Sequence, residues 1–267
     1  MKKLKLLTLI FLFIKSQCLF ANELCPHPWQ IGIYANSPMQ ALIKEKAEGY
    51  NVDIINEMAK RVGCKISFSE IPWARQFVEA GSGKLDFILG GGKRPDREKI
   101  LHYARPDLNV PSVIIFKKED KNFKSFKLNQ IMTMNLKIGG LVGSQYSDEY
   151  EKLMKNKDFA SKIEHSTKHE NLVNKFRAKR IDGLLFGEIT SAKNFLKEEF
   201  NKNSILIFPL TENDYSYVAY SKKTFTIENV KTLDGVLKKI INDGTQLKIM
   251  KKYFSEPEIK TLLSGIN

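Results

Sequence analysis

Cysteine is scarce in this chain. Of 267 residues only Cys18, Cys25 and Cys64 are thiols, and no CxxC pair occurs, so a zinc ribbon or a dithiol redox centre has no ligand set. There are four histidines. His165 and His169 stand four apart, the spacing of two metal ligands on one helical face, but no glutamate completes an HExxH motif, and no metal is expected there. Nucleotide and nucleophile signatures are missing too. Gly90-Gly91-Gly92-Lys93 lacks the second glycine and the hydroxyl of a P-loop, no GxSxG occurs, and no serine, cysteine or histidine has a recognisable activating neighbour. No cofactor is implied. Beyond the N-terminus no apolar run approaches the roughly 20 residues needed to cross a bilayer. Low-complexity segments are absent. The formal net charge is +13, yet no basic stripe is interleaved with aromatics, which sets nucleic acid aside as a partner.

The N-terminus has what the rest lacks. Lys2, Lys3 and Lys5 precede an apolar stretch from Leu6 to Ile14, and Ser16 to Ala21 offers a cleavage region. Residues 1–21 therefore read as a secretory leader cut after Ala21, too short for a membrane span. Its removal leaves 246 residues, one large domain or two medium ones, with a formal charge of +9. The mature chain is expected to be soluble and exported. Two cysteines then remain in an oxidising compartment, which favours a Cys25–Cys64 bridge over two buried free thiols.

The periodicity that follows is α/β. Trp29 to Tyr34 reads as a strand and Gly49-Tyr50-Asn51 opens a helix. Val52, Ile55, Met58, Ala59 and Val62 recur at helical spacing before Gly63, and Cys64 to Phe68 alternates as a second strand. A short helix from Arg75 to Ala80 leads to the strand Lys84-Leu85-Asp86-Phe87-Ile88-Leu89-Gly90. Pro111 to Lys117 reads as a further strand, and the polar stretch Lys117 to Lys127 as the crossover to a second lobe. That lobe repeats the order. It has a strand at Leu136–Leu141, a helix from Asp148, a strand at 163–166, a helix at 171–178, and Arg180-Ile181-Asp182-Gly183-Leu184-Leu185-Phe186-Gly187. A duplicated plan of this kind faces strand ends across a cleft. Strands at 205–210 and 215–221 and two amphipathic helices within 227–254 complete the chain. The lobes are drawn at 22–117 and 118–212, with 213–267 returning to the first.

Several residues stand where these elements end. Gly90, Gly91 and Gly92 let backbone and ligand approach closely, and Arg97 carries a planar fork of donors suited to a carboxylate. The bland alternative is a glycine turn and a solvated arginine. Trp73 with Arg75 suits stacking and pairing with a ligand, or Trp73 is a core anchor. The turn Gly143-Ser144-Gln145-Tyr146-Ser147 before a helix presents backbone N–H groups to an anion, or is an ordinary cap. Glu188 suits a ligand amine, or is a solvated turn carboxylate.

Taken together and in order, these motifs resemble the bacterial extracellular solute-binding proteins of family 3. They are Gly49-Tyr50-Asn51-Val52-Asp53, the Asp86-to-Arg97 segment with Pro95-Asp96-Arg97-Glu98, Gly143-Ser144, Arg180-Ile181-Asp182 and Asn242-Asp243-Gly244-Thr245. The resemblance covers nearly all of the mature chain. It implies a two-lobed periplasmic binding protein fold of type II, joined by two crossover strands and closing by a hinge. It implies a periplasmic monomer that binds a small ligand for an ABC importer, and no enzymatic activity. By the same resemblance Arg97 pairs with a ligand carboxylate, helped by Gly143 and Ser144, while Tyr34 and Trp73 form walls. Arg75 and Glu188 set specificity. Two departures stand out. Gly91, Gly92 and Lys93 replace the usual hydroxyl residues before the arginine, and Gly187 replaces the aspartate that holds an α-amino group. The rival readings are a dehydratase on the same scaffold, similar to cyclohexadienyl dehydratases with Glu188 as general acid, and a sensor for a membrane partner.

Overall fold

The computed structural model describes residues 24–121 and 123–266; the leader, with its expected cut after Ala21, lies outside them. The first lobe begins as a βαβ unit. β1 (Trp29–Ile33) is followed by a small hairpin, β2 (Ala41–Ile43) and β3 (Lys46–Glu48), then α1 (Tyr50–Val62) and β4 (Ile66–Glu70). The helical spacing read in the sequence buries Val52, Ile55, Met58 and Ala59. The Cys25–Cys64 disulfide is present and ties the chain before β1 to the residues before β4. Next come α2 (Trp73–Ser82), β5 (Phe87–Leu89), a 3-10 turn at Arg97–Lys99 and β6 (Leu101–Asn109).

The second lobe holds β7 (Val113–Lys117), α3 (Gln130–Thr133), β8 (Ile138–Leu141), α4 (Asp148–Leu153), α5 (Lys157–Ala160) and β9 (Ile163–Ser166). It continues through α6 (His169–Arg177), β10 (Gly183–Phe186), α7 (Ile189–Phe195), α8 (Lys197–Asn201) and β11 (Ile205–Pro209). The chain returns through β12 (Tyr215–Ser221) and ends in α9 (Ile227–Asn242), α10 (Thr245–Met250) and α11 (Glu256–Leu262).

The two sheets are built alike. One runs β4-β1-β5-β12-β6 and the other β9-β8-β10-β7-β11. In each, three parallel strands are followed by one antiparallel to them and then by an edge strand antiparallel to that one. Apolar clusters cover both faces of each sheet, which is why the central strands are continuous apolar runs. The repeated aspartates have a shared structural task. Asp86 accepts from the Gln30 N–H at 2.7 Å and Asp182 from the Lys137 N–H at 2.8 Å, each anchoring the neighbouring strand of its own sheet.

Two sequence expectations change here. β7 was assigned to the first lobe, but it pairs with β10 and β11, so the crossover falls at residues 110–112 and not at 117–127. The return crossover lies at 210–214. The two run side by side, with Val110 N–H donating to Asp214 O at 2.6 Å and Leu210 N–H to Ser112 O at 2.8 Å. The polar composition of 117–127 marks a loop of the second lobe. The nine-residue β6 was not read as a strand because charges and Pro106 interrupt it. It forms at the sheet edge, where a missing N–H is tolerated.

Candidate functional site

The C-terminal ends of the parallel strands of both sheets meet at one cavity. Tyr34 and Asn36 follow β1, Gly90 and Gly92 follow β5, and Ser144 and Gln145 follow β8. Phe186 ends β10, with Gly187 and Glu188 next. Trp73 opens α2 and His169 opens α6, while Ser112, Asp214 and Ser216 come from the crossovers and the start of β12. The cavity is partly open and has a volume of about 80 Å³.

Arg97 is the charge at one end. It is 6% exposed, and among the described residues no carboxylate oxygen lies within 4.0 Å of it. Its guanidinium sits 4.3 Å from the Phe77 ring centroid and 5.6 Å from that of Trp73. Nη1 donates to Gly92 O at 3.2 Å, and Nη2 reaches across the cleft to Gly143 O at 3.0 Å. Two of its five N–H groups are therefore used. Burial lowers its pKa, the expected cost of a buried cation without a counter-ion. Gly90 turns the chain into this loop with φ of 75°, and a Cβ there would lie 2.9 Å from Asn51 Nδ2.

Glu188 is the charge contributed by the second lobe. It is 7% exposed. It accepts from Ser191 Oγ at 2.6 Å, from Thr190 Oγ1 at 3.3 Å and, from the other lobe, from Asn36 Nδ2 at 2.8 Å. Burial pushes its carboxyl up to about 7, and the three donors oppose that shift. The solvated-turn alternative is thus set aside. Between these groups stand aromatic walls. Tyr34 and Trp73 lie with centroids 5.1 Å apart, and His169 stacks on Phe186 at 5.0 Å and 11°. Burial lowers His169 to about 4, so its imidazole is neutral at pH 7. Arg94 and Asp214 close the rim as an ion pair at 2.7 Å.

Four of the expected site residues sit elsewhere. Arg75 does not line the cavity; it pairs with Glu79 at 2.7 Å on the exposed face of α2, one turn along the helix. Tyr146 is core, its hydroxyl accepting from Leu141 N–H at 2.7 Å and its ring edge-on to Tyr150. Gly91 is buried behind the wall against Ile88 and Trp73. Gly143 offers its carbonyl to Arg97 and no surface to the cavity. Ser144 does line it, but its N–H closes a turn on Leu141 O at 3.1 Å and is not free for an anion. His165 lies in β9 and His169 opens α6, so they share no helical face. Asn36, His169, Arg94, Asp214 and Ser216 were missed. Asn36 and Arg94 lie in loops after strands, His169 opens α6, and Asp214 and Ser216 stand at the entry to β12; proximity to element ends was the available signal.

The profile of the bacterial extracellular solute-binding proteins, family 3, matches residues 30–256. The chain belongs to this family. Among curated relatives, the L-cystine-binding protein TcyA of Bacillus subtilis (strain 168) is 27% identical, covering 79% of this chain and 74% of its own. A probable histidine-binding protein of Neisseria gonorrhoeae is 26% identical, covering 82% and 80%. Among solved structures, an ancestral arginine-binding protein bound to arginine superposes with a TM-score of 0.74 at 22% identity, covering 85% of this chain and 98% of its own. The family 3 fold is thus the two-lobed binding-protein fold read from the motifs, and this chain is a solute-binding protein. Among the described residues no helix is long and apolar enough to cross a membrane.

Proposed function

We propose that this protein captures a small zwitterionic carboxylate, an α-amino acid, between its lobes and delivers it to an ABC importer from the periplasm, after cleavage behind Ala21. It acts as a monomeric carrier and not as a catalyst. The observation that carries this reading is Arg97, buried at the cavity with no carboxylate within 4.0 Å among the described residues. A ligand carboxylate supplies the missing charge through charge-assisted hydrogen bonds. Glu188 takes the ammonium in place of the aspartate whose position Gly187 occupies, and Trp73 with Tyr34 covers the apolar part. The amino-acid specificities named for its relatives support the ligand class.

The test is a thermal-shift panel of amino acids, their α-amides and the matching amines on the mature chain. A ligand at 100 times its Kd adds about 2.7 kcal/mol, a rise of roughly 5–10 °C for a chain of this size. The expected result is a shift with a free amino acid and none with its α-amide. Equal shifts for acid and amide, or shifts with amines alone, would overturn the carboxylate assignment.

A further inference from the structure

The buried carboxylate of Glu188 takes its hydrogen bonds from both lobes. Glu188 precedes α7, and the first turn of that helix supplies two donors, Ser191 Oγ at 2.6 Å and Thr190 Oγ1 at 3.3 Å. The third, Asn36 Nδ2 at 2.8 Å, belongs to the first lobe. All three are neutral. Among the described residues no lysine, arginine or histidine nitrogen lies within 4.0 Å of this carboxylate, and Lys193, further along α7, is paired with Glu258. Asp107 adds a negative charge nearby. The donors are unevenly shared. Oε1 accepts from both Asn36 and Ser191, while Oε2 accepts only the long bond from Thr190. A carboxylate offers about four acceptor positions. Oε2 therefore has capacity for a further donor, and Oε1 is the oxygen that fixes the group in place. Asn36 is itself held firmly. It is 8% exposed, its N–H donates to Gln40 O at 2.8 Å, and its carbonyl accepts from Gln40 N–H at 3.2 Å. The same loop is tied to the start of α1 by Tyr50 N–H on Pro38 O at 3.1 Å and Asn51 N–H on Met39 O at 2.9 Å. The amide thus moves with the first lobe, and its distance from Glu188 is set by lobe closure.

We infer that Asn36 is a positioning residue for amino-group selection: on closure it pins Oε1 of Glu188 and leaves Oε2 to the ligand ammonium. The inference rests on the reading of Glu188 given above. Donation from Asn36 also favours the charged form of the buried carboxyl, the form that holds an ammonium best. The ammonium site is then complete only when the lobes are closed. A ligand with a neutral hydroxyl in place of the amino group gains less from closure, so the amino group is checked by the closing step itself.

The test is calorimetric titration of the mature protein and its Asn36→Ala, Ser191→Ala and Glu188→Gln variants. The probes are the amino acid with the largest shift in the thermal panel and the α-hydroxy acid of the same side chain, as L-lactate is to L-alanine. Affinities too weak for direct titration are read by competition with the amino acid. Asn36→Ala is expected to weaken the amino acid about tenfold and the hydroxy acid by less than about threefold. Ser191→Ala removes the other donor to Oε1 and leaves Asn36 in place; it is expected to act in the same direction. Equal losses for both probes in Asn36→Ala, with Ser191→Ala unchanged, would make Asn36 a lobe contact only and overturn the inference. An unchanged amino-acid affinity in Asn36→Ala would overturn it too. In either case a loss in Glu188→Gln confined to the amino acid leaves Glu188 as the ammonium partner. An amino-acid affinity unmoved by Glu188→Gln removes that reading and the inference with it, so the two failures are distinguishable.

Discussion

Asp107 shows what burial does to a single carboxyl in this protein. It is 1% exposed on β6, beside Tyr50 and Ser216, and burial pushes it up to about 7 from an ordinary 3.8. The folded chain therefore holds a proton between pH 4 and 7 that the unfolded chain has released. Stability from this group is greatest below that window and declines as pH rises through it, by up to about 4 kcal/mol. Asp107→Asn is expected to flatten the slope of urea-unfolding free energy between pH 4.5 and 7.5; an unchanged slope would remove Asp107 as its source. At this scale the sequence was partly legible. Arg97 and Glu188 stood out because each follows a strand that ends in glycine, where a charged side chain can reach a cleft. Arg75 misled because four residues on a helix place it beside Glu79, a pairing as available to the chain as any ligand. Tyr146 misled because proximity to a turn says nothing of which way a ring packs.

Among the elements, the turn after β8 packs across the cleft against the start of α2. Gly143 has φ of 79°, and a Cβ there would lie 2.8 Å from the Ala74 Cβ at the start of α2 in the other lobe. Gly143→Ala forces a side chain into the lobe contact and adds about 1–2 kcal/mol of left-handed strain. Ligand affinity is expected to fall at least about tenfold, and small-angle scattering of the ligand-saturated variant is expected to keep the larger radius of an open form. A wild-type decrease in radius would contradict this. The disulfide acts at the same scale. It closes a sequence separation of 39 residues around β1 and α1, worth about 4 kcal/mol in the chain-entropy model. Reduction should lower the melting temperature without preventing ligand binding; an unchanged melting temperature would show that packing around Trp29 already holds this segment. Strand and helix order was readable where apolar period was strong, as in α1 and β10. β6 was not, because its partners are distant in sequence and an edge strand needs no unbroken apolar pattern.

For the whole molecule, two copies of one sheet plan face each other, and polar as well as apolar contacts join them. Arg97 bonds Gly143, Asn36 bonds Glu188, and Lys193 pairs with Glu258 at 2.8 Å behind the hinge. The repeat was visible in the matched aspartate strands, whereas the lobe boundary was not, because the chain crosses in the short link 110–112 before β7 and the more conspicuous polar stretch comes after that strand. The central claim is that Arg97 is the carboxylate anchor of the cleft. It is tested most directly by calorimetric titration of one amino acid, chosen from the thermal panel, into the wild-type protein and Arg97→Ala. The account predicts a loss of at least about 30-fold in affinity, with far-UV circular dichroism showing both proteins folded. Equal affinity for the two folded proteins would contradict it and place the ligand carboxylate elsewhere.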